Sequence, residues 1–224
     1  MSWRIWLVIG WVACASGCAF TVGTHPTSID TVMMLRQAAL APLSVGPFKL
    51  ADGLDKAIDR SITARSRVLL PHSGKSFALD LRDSLVADLT RIGKYAADSP
   101  VTITGELTEN QLSTGLPQGK ATLSARFKVV REGTVLYDRT LTAHEEWPSS
   151  FLGVVAINDA TTHYSAVYGL LLNQLYVDAD FRKAVGESGP AQGDRIISTN
   201  PLTMAPSAQP RATGLPLTSK IGRS

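Results

Sequence analysis

Two stretches of this chain alternate with period two. In the first, Val101, Ile103 and Leu107 interleave with Thr102, Thr104, Glu106 and Thr108. In the second, Ala121, Leu123, Ala125, Phe127 and Val129 interleave with Thr122, Ser124, Arg126 and Lys128. Successive side chains of a strand point to opposite faces, so this pattern builds a sheet packed on one side and wet on the other. Arg131-Glu132-Gly133-Thr134 supplies a tight turn with a glycine free to take positive φ, and Val135 to Ala143 returns as a third strand. The longer segment Ser113 to Gly119 joins the first two strands. The expected fold class is α+β or α/β: a mostly antiparallel sheet with a three-strand meander and two main helices on one face.

The remaining elements follow from local signals. Val45–Leu50 reads as an earlier strand, and Arg67–Leu70 as another that Pro71 ends. Asp52 to Ile62 reads as a short helix or structured loop. Phe77, Leu81, Leu85, Leu89 and Ile92 recur at spacings of four and three, predicting a helix over 74–92. Ser73 is the expected cap, Asp80 lies early where the helix dipole favours an anion, and Gly93 marks the stop. A second long helix is predicted from about Asp159 to Tyr176, with the stripe Tyr164, Val167, Leu171 and Leu175 and with Asn158 or Asp159 as cap. A short turn, Asp180–Val185, follows, with Asp178 and Asp180 read as helix caps.

The N-terminus carries a different kind of message. A single basic residue, Arg4, precedes an apolar run, Ile5 to Ala13, and then Ala15-Ser16-Gly17-Cys18. A positive start, a short apolar core and small residues before a cleavage point make a secretory signal peptide, too short to span a membrane as an ordinary helix. The small residues stop at a cysteine, which resembles the lipobox of bacterial lipoproteins. That resemblance implies cleavage before Cys18 and its acylation on thiol and amine, so that the membrane is reached through a lipid anchor. It also implies sorting: an aspartate directly after the cysteine commonly retains such proteins at the inner membrane, and Ala19 here favours the outer membrane, periplasmic face, of a Gram-negative bacterium. The expected organisation is signal peptide 1–17, lipidated N-terminus and tether 18–43 with a helical turn around Val32 to Ala39, globular domain 44–185 and disordered Pro/Gly/Ser-rich tail 186–224.

Motifs for chemistry are few. The chain has two cysteines, Cys14 in the leader and Cys18, which leaves the mature domain no thiol for a disulfide, a metal site or a nucleophile. HExxH, CxxC and GxSxG patterns are missing, and no cofactor or metal is expected. Gly74-Lys75-Ser76 ends like a phosphate loop, but Leu69 stands where that loop needs its first glycine, so a capped helix start is the reading. His144-Glu145-Glu146 groups possible ligands, yet neighbours on a strand point apart, which predicts a solvated strand end. A formal net charge of +3 with dispersed basic residues argues against nucleic acid. The most unusual mature segment is Trp147 to Ile157, apolar between the last strand and the last helix. It either folds over the core, with Trp147 and Phe151 as packing residues, or forms an apolar patch in which Trp147, Phe151 and Leu152 contact a partner protein or the membrane surface.

The order of elements around Leu85, Leu89, Gly93, the meander with Thr104 to Gln111, and a closing helix ending in an acidic turn and Phe181 resembles small outer-membrane lipoproteins of the YajG type. More loosely it is similar to envelope lipoproteins of the LpoB and CsgG kind. The resemblance implies a non-enzymatic, lipid-anchored protein that binds an envelope partner, with no catalytic residues. The alternative is an auxiliary lipoprotein of a transport system for lipid or other hydrophobic cargo, which would need an apolar groove between sheet and helices.

Overall fold

The computed structural model describes residues 20–21, 29–37, 40–65 and 67–186. All of these belong to the first of the two units into which the chain divides, Met1–Ser188. The leader, Cys18 and the tail beyond Gly186 lie outside the described residues. In chain order the elements are β1 (Phe20–Thr21), α1 (Ile29–Gln37), β2 (Ser44–Leu50), α2 (Ala57–Arg60), β3 (Ile62–Ala64), β4 (Arg67–Leu70), α3 (Phe77–Arg91), β5 (Val101–Ser113), β6 (Gln118–Arg131), β7 (Thr134–Pro148), α4 (Gly153–Val177) and α5 (Ala179–Val185).

The alternating stretches form the meander. β5, β6 and β7 pair antiparallel, and β2 adds to the free edge of β5 in parallel, giving the order β2-β5-β6-β7. The sheet is therefore mixed, with its antiparallel part as expected. Ile103, Leu107, Leu123, Ala125, Phe127 and Val129 all point inward and are buried. Helices α3 and α4 pack on the sheet and fill that side with Leu81, Leu85, Leu89, Tyr164, Val167, Leu171 and Leu175. The opposite face carries Lys49, Glu106, Arg126, Lys128 and Asp138, linked by ion pairs such as Arg126 Nε to Asp138 Oδ1 at 2.6 Å.

Helix α3 keeps its predicted stripe but starts later. Gly74 has φ +68°, outside the helical region, and the cap is Ser76, whose hydroxyl accepts from the Leu79 N–H at 3.2 Å. Ser73 instead organises the preceding turn by accepting from the Lys75 N–H at 3.3 Å. Gly93, at φ +72°, ends the helix as expected. Tyr176 of α4 donates to Asp88 Oδ2 of α3 at 2.9 Å, and Phe77 meets Tyr164 edge-on at 5.7 Å, so the two helices are fastened across the core by polar and aromatic contacts.

Three findings correct the expected layout. The segment read as a tether up to residue 43 joins the fold well before that point: Leu35, Leu40 and Leu43 are buried, and the Ala41 and Leu43 N–H groups donate to Val185 and Lys94 carbonyls. A short strand, β3, pairs with β4 as a hairpin whose turn places Arg65 at φ +54°. Helix α4 begins at Gly153, six residues before Asp159, so neither Asn158 nor Asp159 caps it. Asp178 does cap α5, accepting from the Asp180 and Phe181 N–H groups at 2.8 and 3.2 Å.

Candidate docking surface

The junction between β7 and α4 splits the Trp147 segment into a buried half and an exposed half. Trp147 points inward and is 3% exposed. Its indole covers Gly119 of the neighbouring strand so closely that a Cβ there would lie 2.3 Å from Cε2. On its other side the indole stacks on His163 of α4, centroids 4.6 Å apart and planes 8° apart. Glu145, two residues back and therefore on the same face of β7, reaches His163 Nδ1 at 2.6 Å. Glu146, on the other face, pairs with Lys120 at 2.6 Å. The cluster His144-Glu145-Glu146 thus divides between two faces, as the alternation requires. Trp147 is a packing residue and not a partner contact, which corrects one of its two expected roles.

Beyond Pro148 the chain leaves the sheet. Ser149 N–H donates to the Pro117 carbonyl at 2.9 Å, and Arg65 clips the turn from below. Its Nε donates to the Thr114 carbonyl at 3.2 Å, Nη2 to Ser150 at 2.9 Å and Nη1 to Phe151 at 3.5 Å. So held, the turn presents an apolar lip: Phe151 is 83% exposed, Leu152 66% and Val154 75%. Val155 and, in the facing β5–β6 loop, Leu116 are also exposed. Helix starts in water usually carry a Ser, Thr, Asp or Asn at the cap. Leu152 occupies that place in α4, without a side-chain acceptor, and the first turn has no acidic residue.

The other candidate places are filled by the chain itself. At the start of α3, Ser76 donates to Asp59 at 2.8 Å, Asp59 accepts from the Ala78 N–H at 2.9 Å, and Asp80 accepts from the Ser73 N–H at 2.9 Å. Carboxylates of the protein already occupy the spot where a phosphate would sit. On the wet face of the sheet, a hollow of about 170 Å³ is lined by Pro47, Lys49, Thr104, Gly105, Glu106, Arg126 and Lys128. The Arg126 guanidinium beside Asp138 holds its carboxyl below the usual range. Among the described residues, no three His, Cys, Asp or Glu side chains are placed to hold a metal ion, and no helix is long and apolar enough to cross a membrane.

Sequence reasoning missed Arg65, Leu116, Val154 and His163 as members of this region. Arg65 is distant in sequence and meets the lip only through the fold, as does the loop of Leu116, whose neighbour Pro117 accepts from the Ser149 N–H. Val154 stood within the apolar run, but its exposure depended on where α4 begins.

No family model and no curated protein matches the chain. Among solved structures, it is similar to protein XCC0632 from Xanthomonas campestris, of the family DUF330: 18% identity, 71% of this chain, 95% of that chain and a TM-score of 0.49. It is also similar to PelC from Paraburkholderia phytofirmans, solved as a dodecamer, at 19% identity over 59% of this chain and 89% of that chain, TM-score 0.32. A third likeness is to lipoprotein GNA1162 from Neisseria meningitidis, at 16% identity over 59% of this chain and 99% of that chain, TM-score 0.25. At these identities and scores the likeness concerns the course of the backbone alone.

Proposed function

We propose that this protein is a non-catalytic, lipid-anchored envelope protein, acylated at Cys18 and held at the periplasmic face of the outer membrane, that docks through the lip formed by Phe151, Leu152 and Val154. The observation that carries this reading is the division of one apolar segment: Trp147 is sealed into the core while Phe151, Leu152 and Val154 stand in water on a turn held by Arg65. Exposed apolar side chains gathered at one place lose favourable free energy in water and recover it only when covered. Anchoring is supported by Ala15-Ser16-Gly17-Cys18, and the non-catalytic role by the missing nucleophile and metal motifs. The narrower kinship with YajG-type lipoproteins belongs to the same proposal.

A role as auxiliary to a transport system fits this docking geometry, but not with cargo stored between sheet and helices. Phe77, Leu81, Ile103, Phe127 and Leu171 fill that space.

The test is cross-linking in intact cells followed by pull-down, with Cys18→Ser as the mislocalised control. The wild type is expected in the membrane fraction, with cross-links from position 152 that the control loses. A Cys18→Ser protein still anchored in membranes would overturn the lipoprotein reading.

A further inference from the structure

Resting on the reading just given, we infer that the lip at Phe151, Leu152 and Val154 sits in the lipid of the same membrane that holds Cys18. The first reason is where the anchor ties in. β1 pairs in parallel with β4, Phe20 opposite Leu69 and Thr21 opposite Leu70. Two residue steps separate Cys18 from Phe20, a reach of at most about 7 Å. Because the pairing is parallel, the start of β1 at Phe20 faces the same end of this small sheet as the start of β4 at Arg67. At that end the β3–β4 turn carries Arg65. A lipid on Cys18 therefore holds this end of the small sheet close to the bilayer.

The second reason is that the same end holds the lip. Arg65 reaches from the hairpin turn to the carbonyls of Ser150 and Phe151, and its guanidinium lies 3.9 Å from where a Cβ on Gly153 would be. Phe20, two residues from the anchor, is tied through β4 and Arg65 to the lip, so a membrane that holds the anchor lies within reach of the lip.

The third reason is composition. Arg65 donates to three backbone carbonyls and is itself exposed, and Arg67 stands opposite Ala64 in the same hairpin. Apolar side chains flanked by arginine suit a bilayer interface, where the former enter the acyl boundary and the latter meets anionic headgroups. A protein groove would cover the same side chains but would not account for the closeness of the anchor.

The mature chain's single cysteine is the acylated one, so a cysteine introduced elsewhere can carry a nitroxide uniquely. The acylated full chain is reconstituted into phosphatidylethanolamine–phosphatidylglycerol vesicles with a label at Leu152→Cys or, about 40 Å away along the meander, at Thr134→Cys. Both positions are exposed, and unfolding curves matching the unsubstituted protein confirm that the labelled variants fold. Relaxation by oxygen and by a water-soluble nickel chelate reports depth. The label at 152 is expected to be oxygen-dominated and that at 134 nickel-dominated, a reversal of the ratio between the two sites. Nickel-dominated relaxation at 152 in protein that carries acyl chains and floats with the vesicles overturns the lipid contact while leaving the anchor intact. So does shielding at 152 that appears only when envelope proteins are added, which would make the partner a protein. Protein with an unmodified Cys18 that stays in the supernatant overturns the anchor itself, and this inference with it.

Discussion

The indole of Trp147 and the imidazole of His163 lie face to face at 4.6 Å, binding the end of β7 to the middle of α4. Four residues later Phe151 is almost wholly exposed. The two aromatic residues therefore differ in their effect on stability. Trp147→Ala is expected to cost about 3–5 kcal/mol, whereas Phe151→Ser stays within about 0.5 kcal/mol. Urea unfolding of the two variants measures both, and equal losses would place Phe151 in the core as well.

The glycines under the aromatic rings make a second set of expectations. A Cβ at Gly105 would fall 2.3 Å from Cε1 of Phe48, and one at Gly119 equally close to Trp147. Neither position has an unusual φ, so the conflict is one of space. Gly105→Ala and Gly119→Ala are each expected to destabilise by about 1–3 kcal/mol as the rings are displaced. Gly53, with open space but φ +85°, serves as contrast: alanine there is strained by the backbone and not by packing. Thermal unfolding should show loss in all three, with near-ultraviolet ellipticity altered only at 105 and 119.

Asp178 gives the fold a defined acid sensitivity. Burial pushes its carboxyl up, but the Phe181 and Asp180 N–H groups, the Tyr137 hydroxyl and Arg139 outweigh that and hold it below the ordinary 3.8. A carboxyl lowered in the folded state contributes stability that is complete above its unfolded value and is lost as pH falls through the folded one. Asp178→Asn is therefore expected to be less stable by roughly 1–2 kcal/mol near neutral pH, with the gap to wild type closing below pH 3.8. A gap that persisted unchanged in acid would mean that charge at this position contributes nothing.

Tyr176 and Asp88 join the two main helices in the core. Burial and the neighbouring Asp88 carboxylate hold the Tyr176 hydroxyl protonated well above its usual range, so it remains a donor at all ordinary pH values. Tyr176→Phe removes that donor from a carboxylate that is 2% exposed. The expected loss is about 1–3 kcal/mol, read by denaturant unfolding. A neutral result would mean that the other partners of Asp88, Arg91 at 3.6 Å among them, suffice without the tyrosine.

The meander and the α3 stripe were legible because one repeating contact decides each: every second residue of β6 meets the helix layer, and every third or fourth of α3 meets the sheet. What depended on remote contacts was not. The start of α4 escaped notice because Val154 and Val155 lie outside its buried stripe, which begins with Ala156. The parallel pairing of β2 with β5 and the docking of Leu35 and Leu40 join segments far apart in the chain, and no local pattern encodes them. Ser73 and Ser76 are equally good caps by type, and only the positive φ of Gly74 decides between them. For the lip, the apolar segment was visible and its division was not, since the fate of Trp147 rests on Gly119 and His163.

In the proposed function the folded body hangs from an acylated Cys18. Mass spectrometry of the N-terminal peptide, taken from protein isolated in the membrane fraction, tests it most directly. The expected result is a chain that begins at Cys18 and carries fatty acyl groups on that residue. A chain beginning elsewhere, or a Cys18 with a free thiol and free amine, would contradict it.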